Sequence, residues 1–326
     1  MQRSLIPDFK KYVIHSGEER QLYICNDCNC LFSETKNTVP EGLRTPVSRI
    51  TMILTALSEG MGINALTGTF SVGKNSIYRW LERLSSLQQA LMLYSLCHQF
   101  VQSIVEGDEL YTKIGGNVPP GESEGWTVIL TDRASRFIRA PECGKKDKRL
   151  FKRAMRILLK VIRKTGDLTL LTDGERRYGN ILFEICYEFL RTGKRGRPRK
   201  TLKKGVKVRI KNKGAQKKTG RKREKYQAPQ SEHPETPQNI ENSDIHANHV
   251  EGFNAALRRM CSAFRRKTNT YAKKAERLQE RLNVIWIMHN FVRVHYTTKE
   301  VPAVRLGIIE EGMTLEGILR LKGVNG

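Results

Sequence analysis

Leu168-Thr-Leu-Leu171-Thr172-Asp173-Gly174 is a short apolar run closed by an acid and a glycine. A run of this length that ends in a turn signal reads as a buried strand, here the fourth of its region. Upstream, Leu150, Phe151, Ala154, Leu158, Val161 and Ile162 recur at helical spacing. Before that helix come three short apolar runs, Ser103-Ile-Val105, Trp126-Thr-Val-Ile-Leu130 and Phe137-Ile138, which read as successive strands. Downstream, a second helix is expected through Ile181, Leu182, Ile185 and Phe189. Strands in a row followed by alternation with helices give a mixed α/β sheet with flanking helices.

The chain of 326 residues is about twice the usual domain length, so two compact units plus an appendage are expected. Hydrophobic residues at 39% are enough for a core in each, while 28% charged residues argue against an integral membrane protein. The longest stretch without a charge, Leu84 to Val105, is interrupted by Ser85, Gln88, His98 and Gln102 and reads as a helical connector, not a span. Asp8, Lys10, Lys11 and Glu18 occupy the place where an export signal would be apolar. Seven cysteines, mostly scattered, do not read as a disulfide framework, so a reducing, cytoplasmic and nucleoid-associated setting is expected. The net charge of +25 attracts polyanions and makes nucleic acid the leading partner class.

Residues 1–40 contain Cys25-Asn-Asp-Cys28-Asn-Cys30, the knuckle of half a zinc ribbon. Tetrahedral Zn²⁺ needs four ligands, and upstream of Cys25 the chain offers only His15. Cys25 and Cys28 are therefore either zinc ligands, helped by Cys30 or His15, or free thiols of a truncated ribbon. In residues 41–100, Thr45-Pro46 opens a helix, and Ile63 to Phe70 is followed by Ser71-Val-Gly73 and a second helix with Ile77, Trp80, Leu81 and Leu84 inward. That layout is a helix-turn-helix whose open face carries Lys74, Asn75, Tyr78, Arg79 and Arg83, all able to reach bases or phosphates. An ordinary helical hairpin is the competing reading.

Residues 101–190 and 241–326 are expected to form the two parts of one core, separated by a basic insertion and linker at 191–240. Between 191 and 225 lie 18 lysines and arginines against one acid, Glu224, about two-thirds of the excess charge. Lys194-Arg195-Gly-Arg197-Pro198 is similar to a minor-groove AT-hook core, against the alternative of a solvated loop with a short strand at Val206 to Ile210. Asp244 is expected to cap a helix from Ile245 to about Arg259, and Thr270 to cap the last long helix.

Carboxylates in so basic a chain repel each other unless a cation sits between them. Asp108 and Asp173 each close a predicted strand, and adjacent strands would let them share Mg²⁺, which prefers hard oxygen ligands. On the helix that follows, Val250, Phe253, Leu257, Met260 and Phe264 share one side of a 100° wheel, and Asn248, Glu251, Asn254 and Arg258 fall together on the other. Such a polar row can present Glu251 to metal and Asn254 or Arg258 to phosphate, or can be a plain solvated face. Asp132, Glu106, Glu109 and Glu175 compete for the acid positions. Asp132 has Arg133 and Arg136 beside it, and Glu109 and Glu175 adjoin the proposed ligands.

Asp108-Glu109, Thr172-Asp173-Gly174, the Asn248/Glu251/Asn254/Arg258 helix and Arg266-Lys-Thr268 together resemble a DDE transposase of the insertion-sequence-one type. The resemblance spans most of the chain. It implies a ribonuclease-H-like catalytic domain, Asp108, Asp173 and Glu251 as a triad binding Mg²⁺ or Mn²⁺, cleavage and strand transfer at the ends of an insertion sequence, double-stranded DNA as substrate, and a homo-oligomer on that DNA. Two departures stand out: the long gap from Asp173 to Glu251, and the missing first half of the ribbon. A non-enzymatic DNA-binding regulator is the alternative, and a structure-specific nuclease on the same fold a lesser one.

Overall fold

The computed structural model describes residues 5–14, 17, 19–25, 27–98, 104–116, 118–191, 193, 196–211, 226–265 and 269–322. In chain order they form β1 (Leu5–Val13), β2 (Glu19–Cys25), β3 (Leu31–Ser33), α1 (Val47–Ser58), α2 (Ile63–Phe70) and α3 (Lys74–His98). Next come β4 (Ile104–Tyr111), β5 (Trp126–Asp132), β6 (Ile138–Gly144), α4 (Lys148–Thr165), β7 (Leu168–Thr172) and α5 (Arg176–Ile185). The remainder is β8 (Tyr187–Leu190), β9 (Arg199–Leu202), β10 (Val206–Lys211), β11 (Tyr226–Gln227), α6 (Asn248–Met260), α7 (Ala275–Ile287), α8 (Pro302–Arg305) and α9 (Leu315–Leu319). A π-helical turn, Met288–Val292, extends α7. Two compact units divide the chain: Met1–Leu91 with Met313–Gly326, and Met92–Gly312. The C-terminal α9, expected with the second unit, belongs to the first. Among the described residues no helix is long and apolar enough to cross a membrane.

In the first unit β1, β2 and β3 form an antiparallel sheet. Pro46 is the N-cap of α1, one position later than the expected Thr45. Val47, Ile50, Ile53, Leu54 and Leu57 are buried, as their spacing predicts. α9 packs against α1, with Leu315, Ile318 and Leu319 buried and the Leu319 carbonyl accepting from Val39 N at 3.2 Å. α2 and α3 are separated by Ser71 to Gly73, with Ser71 in the left-handed region at φ 47°.

The second unit is built on a six-stranded mixed sheet in the order β11-β10-β7-β4-β5-β6. β4 runs parallel to β7 and β7 parallel to β10, while β5 and β6 continue antiparallel from β4. On one face α4 and α5 bury Phe151, Ala154, Leu158, Ile181 and Leu182 against Val105, Val128, Leu170 and Val208. α6 and α7 pack on β4, β5 and β6. A mixed sheet with flanking helices is consistent with the ribonuclease-H-like expectation.

Four expectations need correction. The short strand expected at Val206 to Ile210 is not solvated but joins the central sheet as β10: Val206, Val208 and Ile210 are buried, and even Lys207 is enclosed, donating to the Pro237 carbonyl and, at 2.7 Å, to Asn239 Oδ1. Arg209 is likewise consumed by Glu232. Phe189 lies in β8, not in α5, which ends at Ile185. Asp244 sits in a single 3₁₀ turn and does not cap α6, whose N-cap is Ala247. α7 starts after Lys274, so Thr270 caps nothing there; its hydroxyl donates to Ser262 O at 3.3 Å.

Candidate functional site

β4 does not end at Asp108 but runs on to Tyr111. Its parallel neighbour β7 stops at Thr172, paired with Gly107, so Asp108 and Asp173 are the next residues on adjacent strands where that pairing ends. Strand alternation turns Glu106 and Asp108 to the α6 side of the sheet and Gly107 and Glu109 to the α5 side. Gly107 leaves room for the α5 side: an added Cβ would lie 3.1 Å from the Tyr178 ring and 3.2 Å from Leu130, closer than most Cβ contacts.

The Asp108 carboxyl is pushed up to about 6, first by burial and then by the negative charges of Glu109 and Asp173. Its restraint comes partly from Asn254 of α6, whose Nδ2 donates to Asp108 Oδ2 at 2.7 Å. Asn254 is buried, and its Oδ1 is enclosed with no hydrogen-bond partner. Glu251 is exposed one turn before Asn254 on the same helix, and Arg258 is half-buried one turn after it. The Asp108 and Asp173 carboxylates, whose charges repel, and the orphaned Asn254 amide oxygen are hard-oxygen donors of the kind that fits Mg²⁺ or Mn²⁺. The three acids are not drawn tightly together, because the one trio of His, Cys, Asp or Glu ligand atoms all within 4.8 Å, among the described residues, is Glu106, His246 and His249.

Glu106 is fully buried and caps α6 from outside the helix, accepting from His249 N at 2.9 Å and Val250 N at 3.1 Å. His249 Nδ1 lies 2.6 Å from its other oxygen, and Arg133 Nε 3.6 Å. Burial pushes the Glu106 carboxyl up, but the His249 hydrogen bond and charge, Val250 N–H and Arg133 outweigh it and hold it below its usual range. Arg133 also donates to His246 and, at 2.7 Å, to Asp244 O, so a guanidinium already occupies the cationic place in this trio. Glu106 thus fixes where α6 begins and, through α6, where Glu251 and Asn254 stand. Sequence reading ranked it only as a competitor and weighed neither histidine. The available signal was its i, i+2 relation to Asp108, which puts both acids on one face.

On the other face, Glu109 pairs with Lys146 at 2.6 Å and accepts from Tyr178 Oη at 3.4 Å. Burial outweighs Lys146 and raises the Glu109 carboxyl. Glu175 accepts from Arg177 N at 3.0 Å, capping α5, and lies 3.4 Å from the same lysine. Asp132 is fully buried, and its ion-pair partner is Arg139 at 3.1 Å, not the flanking Arg133 or Arg136. Its Oδ1 also accepts from Ser135 N and Oγ at 2.9 and 2.6 Å.

Of the residues expected to meet DNA, Lys74, Asn75 and Arg79 are exposed at the start of α3 and Tyr78 is half-buried. Arg83 is turned inward, donating to the carbonyls of Val39 at 3.0 Å and Glu41 at 2.5 Å. Arg197 is exposed, while Lys194, Arg195 and the Arg266-to-Thr268 segment lie outside the described residues. Cys25 is buried and Cys28 and Cys30 are exposed in the turn after β2, where Cys25 N donates to Cys30 O at 3.0 Å. No trio of close ligand atoms among the described residues includes a cysteine. His15 also lies outside the described residues.

No protein-family model and no curated protein matches the chain. Among solved structures, the crystal structure of the Mos1 mariner paired end complex with Mn matches at 12% identity, covering 43% of this chain and 57% of that one, with a TM-score of 0.18. The chain thus spans little more than half the length of the protein it matches, and at that score the superposition assigns no residue a role.

Proposed function

We propose that this protein is a DNA transposase of the DDE type, cutting DNA and joining the freed 3′ ends to a target at a carboxylate centre made of Asp108, Asp173 and Glu251. The observation that carries the reading is the adjacency of Asp108 and Asp173 at the point where parallel β4 and β7 part, with Asn254 of α6 holding one of them. Divalent ions bound there would supply a polarised water or 3′-hydroxyl and neutralise the leaving oxygen.

The chain's own contributions follow from its geometry. Asp108 and Asp173 concentrate negative charge inside a strongly cationic protein. Asn254 orients Asp108, Glu106 anchors the start of α6, and Glu251 projects from the same helix on its exposed side. Arg258 offers a guanidinium to a phosphate. In the first unit, Lys74, Asn75, Tyr78 and Arg79 form the face that would read a duplex as the second helix of a helix-turn-helix, and action on two ends would call for two or more subunits. The closer kinship with the insertion-sequence-one type rests on the sequence resemblance.

The test is incubation with Mg²⁺ or Mn²⁺ and duplex DNA spanning the flanks of the gene's own locus, scoring nicks and joined products. Asp108→Asn, Asp173→Asn and Glu251→Gln should each bind DNA as the parent does and lose cutting and joining by 10²-fold or more, roughly the scale of a catalytic group. DNA binding with no metal-dependent product from the parent protein would leave a non-enzymatic regulator, and cutting without joining would leave a nuclease.

A further inference from the structure

Beside the sheet, β8 and β9 form a separate two-stranded antiparallel ribbon, pairing Tyr187 with Leu202 and Phe189 with Lys200. Opposed residues of an antiparallel pair share a face, so Tyr187, Phe189, Lys200 and Leu202 lie on one side. At its base Leu202 is fully buried in the core, but Tyr187 is 36% and Phe189 48% exposed. With Phe183 at the core's margin they form a continuous row of rings, with centroids 6.3 Å apart from Phe183 to Tyr187 and 5.5 Å from Tyr187 to Phe189. Lys200 Nζ stands 4.2 Å from the Tyr187 centroid and 5.5 Å from that of Phe189.

Exposed rings in a contiguous row are costly in water and mark an interaction surface. The charge around them selects the partner. Lys200 is exposed on the ring side, Arg191 and Arg197 are exposed at the end where the two strands part, and Arg199, opposite Leu190, is exposed on the reverse side. The ribbon's one described acid, Glu188, also points to the reverse side, where its Oε1 accepts from Lys204 N at 2.8 Å. An apolar protein surface would leave these cations unpaired, and a duplex keeps its base faces stacked inside. A strand without its complement offers both complements at once, phosphates for the cations and base faces for the rings. The planes of Phe183 and Tyr187 are tilted by 32° and those of Tyr187 and Phe189 by 89°, so the rings do not match the parallel stack of a duplex and suit bases turned away from one another.

We propose that the face of the β8–β9 ribbon carrying Phe183, Tyr187, Phe189 and Lys200 is a stacking platform for an unpaired DNA strand. Lys200 caps the rings in the free protein and exchanges them for a phosphate when the strand lies down. The proposal deepens the DNA-processing reading, in which strands part at the cut, but needs no metal.

The test is fluorescence anisotropy of the full-length protein in EDTA with a labelled single-stranded oligonucleotide and the same sequence as a duplex. Tyr187→Ala and Phe189→Ala should each weaken single-strand binding on the order of tenfold, with duplex affinity changed by less than about threefold. Tyr187→Phe and Phe189→Tyr, which keep the rings, should bind as the parent does, so loss through misfolding is separable from loss of stacking. Parent protein that binds duplex but not single strands, or alanine variants that lose both in proportion, would overturn the platform and leave the transposase reading standing. Failure to bind either form of DNA would overturn both.

Discussion

Asn254 Nδ2 donates to Asp108 Oδ2 across 2.7 Å, tying the middle of α6 to the central strand of the sheet at a carboxyl that burial and its acidic neighbours drive toward protonation. The bond joins residues 146 positions apart and makes the placement of the helix and the charge state of the acid a single problem.

The first consequence is that Asp108 costs the metal-free fold stability. Its folded value is raised from 3.8 to about 6, so the native state holds the proton more tightly than the unfolded chain. Below about pH 3.8 both states are protonated and there is no penalty. The penalty grows as pH rises toward 6 and is complete above it. In EDTA at pH 7.5, Asp108→Asn should therefore stabilise the second unit by on the order of 2 kcal/mol, after allowing for solvent at a half-buried group. The gain should vanish at pH 4 or below, as read by denaturant unfolding across that range.

Cation binding should reverse the penalty. At pH 7.5, Mn²⁺ should raise the melting temperature of the parent and leave Asp108→Asn and Asp173→Asn unmoved. Because the proton and the cation compete for Asp108, apparent affinity should fall by up to about tenfold per unit as pH drops below about 6. Thermal shift or calorimetric titration at pH 7 and pH 5 checks it, and an equal shift in all three proteins would show that the ion binds elsewhere.

Glu106 has the opposite sign. Its carboxyl is held below the ordinary 4.5, so the stability it contributes is present above that value and is lost as pH falls through the lowered one. Glu106→Ala leaves two α6 N–H groups, His249 and Arg133 without their acceptor, and should cost about 3 kcal/mol at neutral pH. Glu106→Gln keeps an oxygen for the helix and should cost less. Urea midpoints of the three proteins at pH 7 order the effects.

The sheet is largely legible in the sequence because its inward residues come in short apolar runs, and Asp108 and Asp173 are conspicuous as acids among them. Longer-range features were hidden. The capping of α6 by Glu106 spans 143 residues, and no local pattern announces it while Asp244 offers a nearer, conventional candidate. The short strand at Val206 to Ile210 is legible, but its charges hide its place in the sheet: Lys207 and Arg209 read as solvated until Asn239 and Glu232 supply their partners from the following loop. Asn254 looked like one residue of an exposed polar row, whereas close packing of α6 on β4 buries it.

Gly205 tests the placement of β10. Its φ is +85°, and an added Cβ would lie 2.3 Å from the Gly166 carbonyl oxygen at the end of α4. Gly205→Ala should destabilise the second unit by roughly 2–3 kcal/mol, combining backbone strain with a displaced turn. In a solvated insertion the same change would be nearly silent, so an unfolding midpoint within error of the parent would contradict the strand assignment.

Arg83 and Arg79 lie one turn apart on α3 and should fail in different ways. The Arg83 guanidinium donates to the Val39 and Glu41 carbonyls, so Arg83→Ala should lower the stability of the first unit by about 1.5–3 kcal/mol. Lys74 and Arg79 are exposed. If that face meets the duplex, Lys74→Ala and Arg79→Ala should keep parental melting temperatures while weakening duplex binding, and each should reduce the slope of log K against log salt by about 0.9 for one lost phosphate contact. The salt series separates the cases: a stability mutant measured below its melting point retains the parental slope, whereas a lost phosphate contact flattens it. Should Arg83→Ala flatten the slope while Arg79→Ala leaves it unchanged, the duplex-facing side of α3 is the one that now faces Val39.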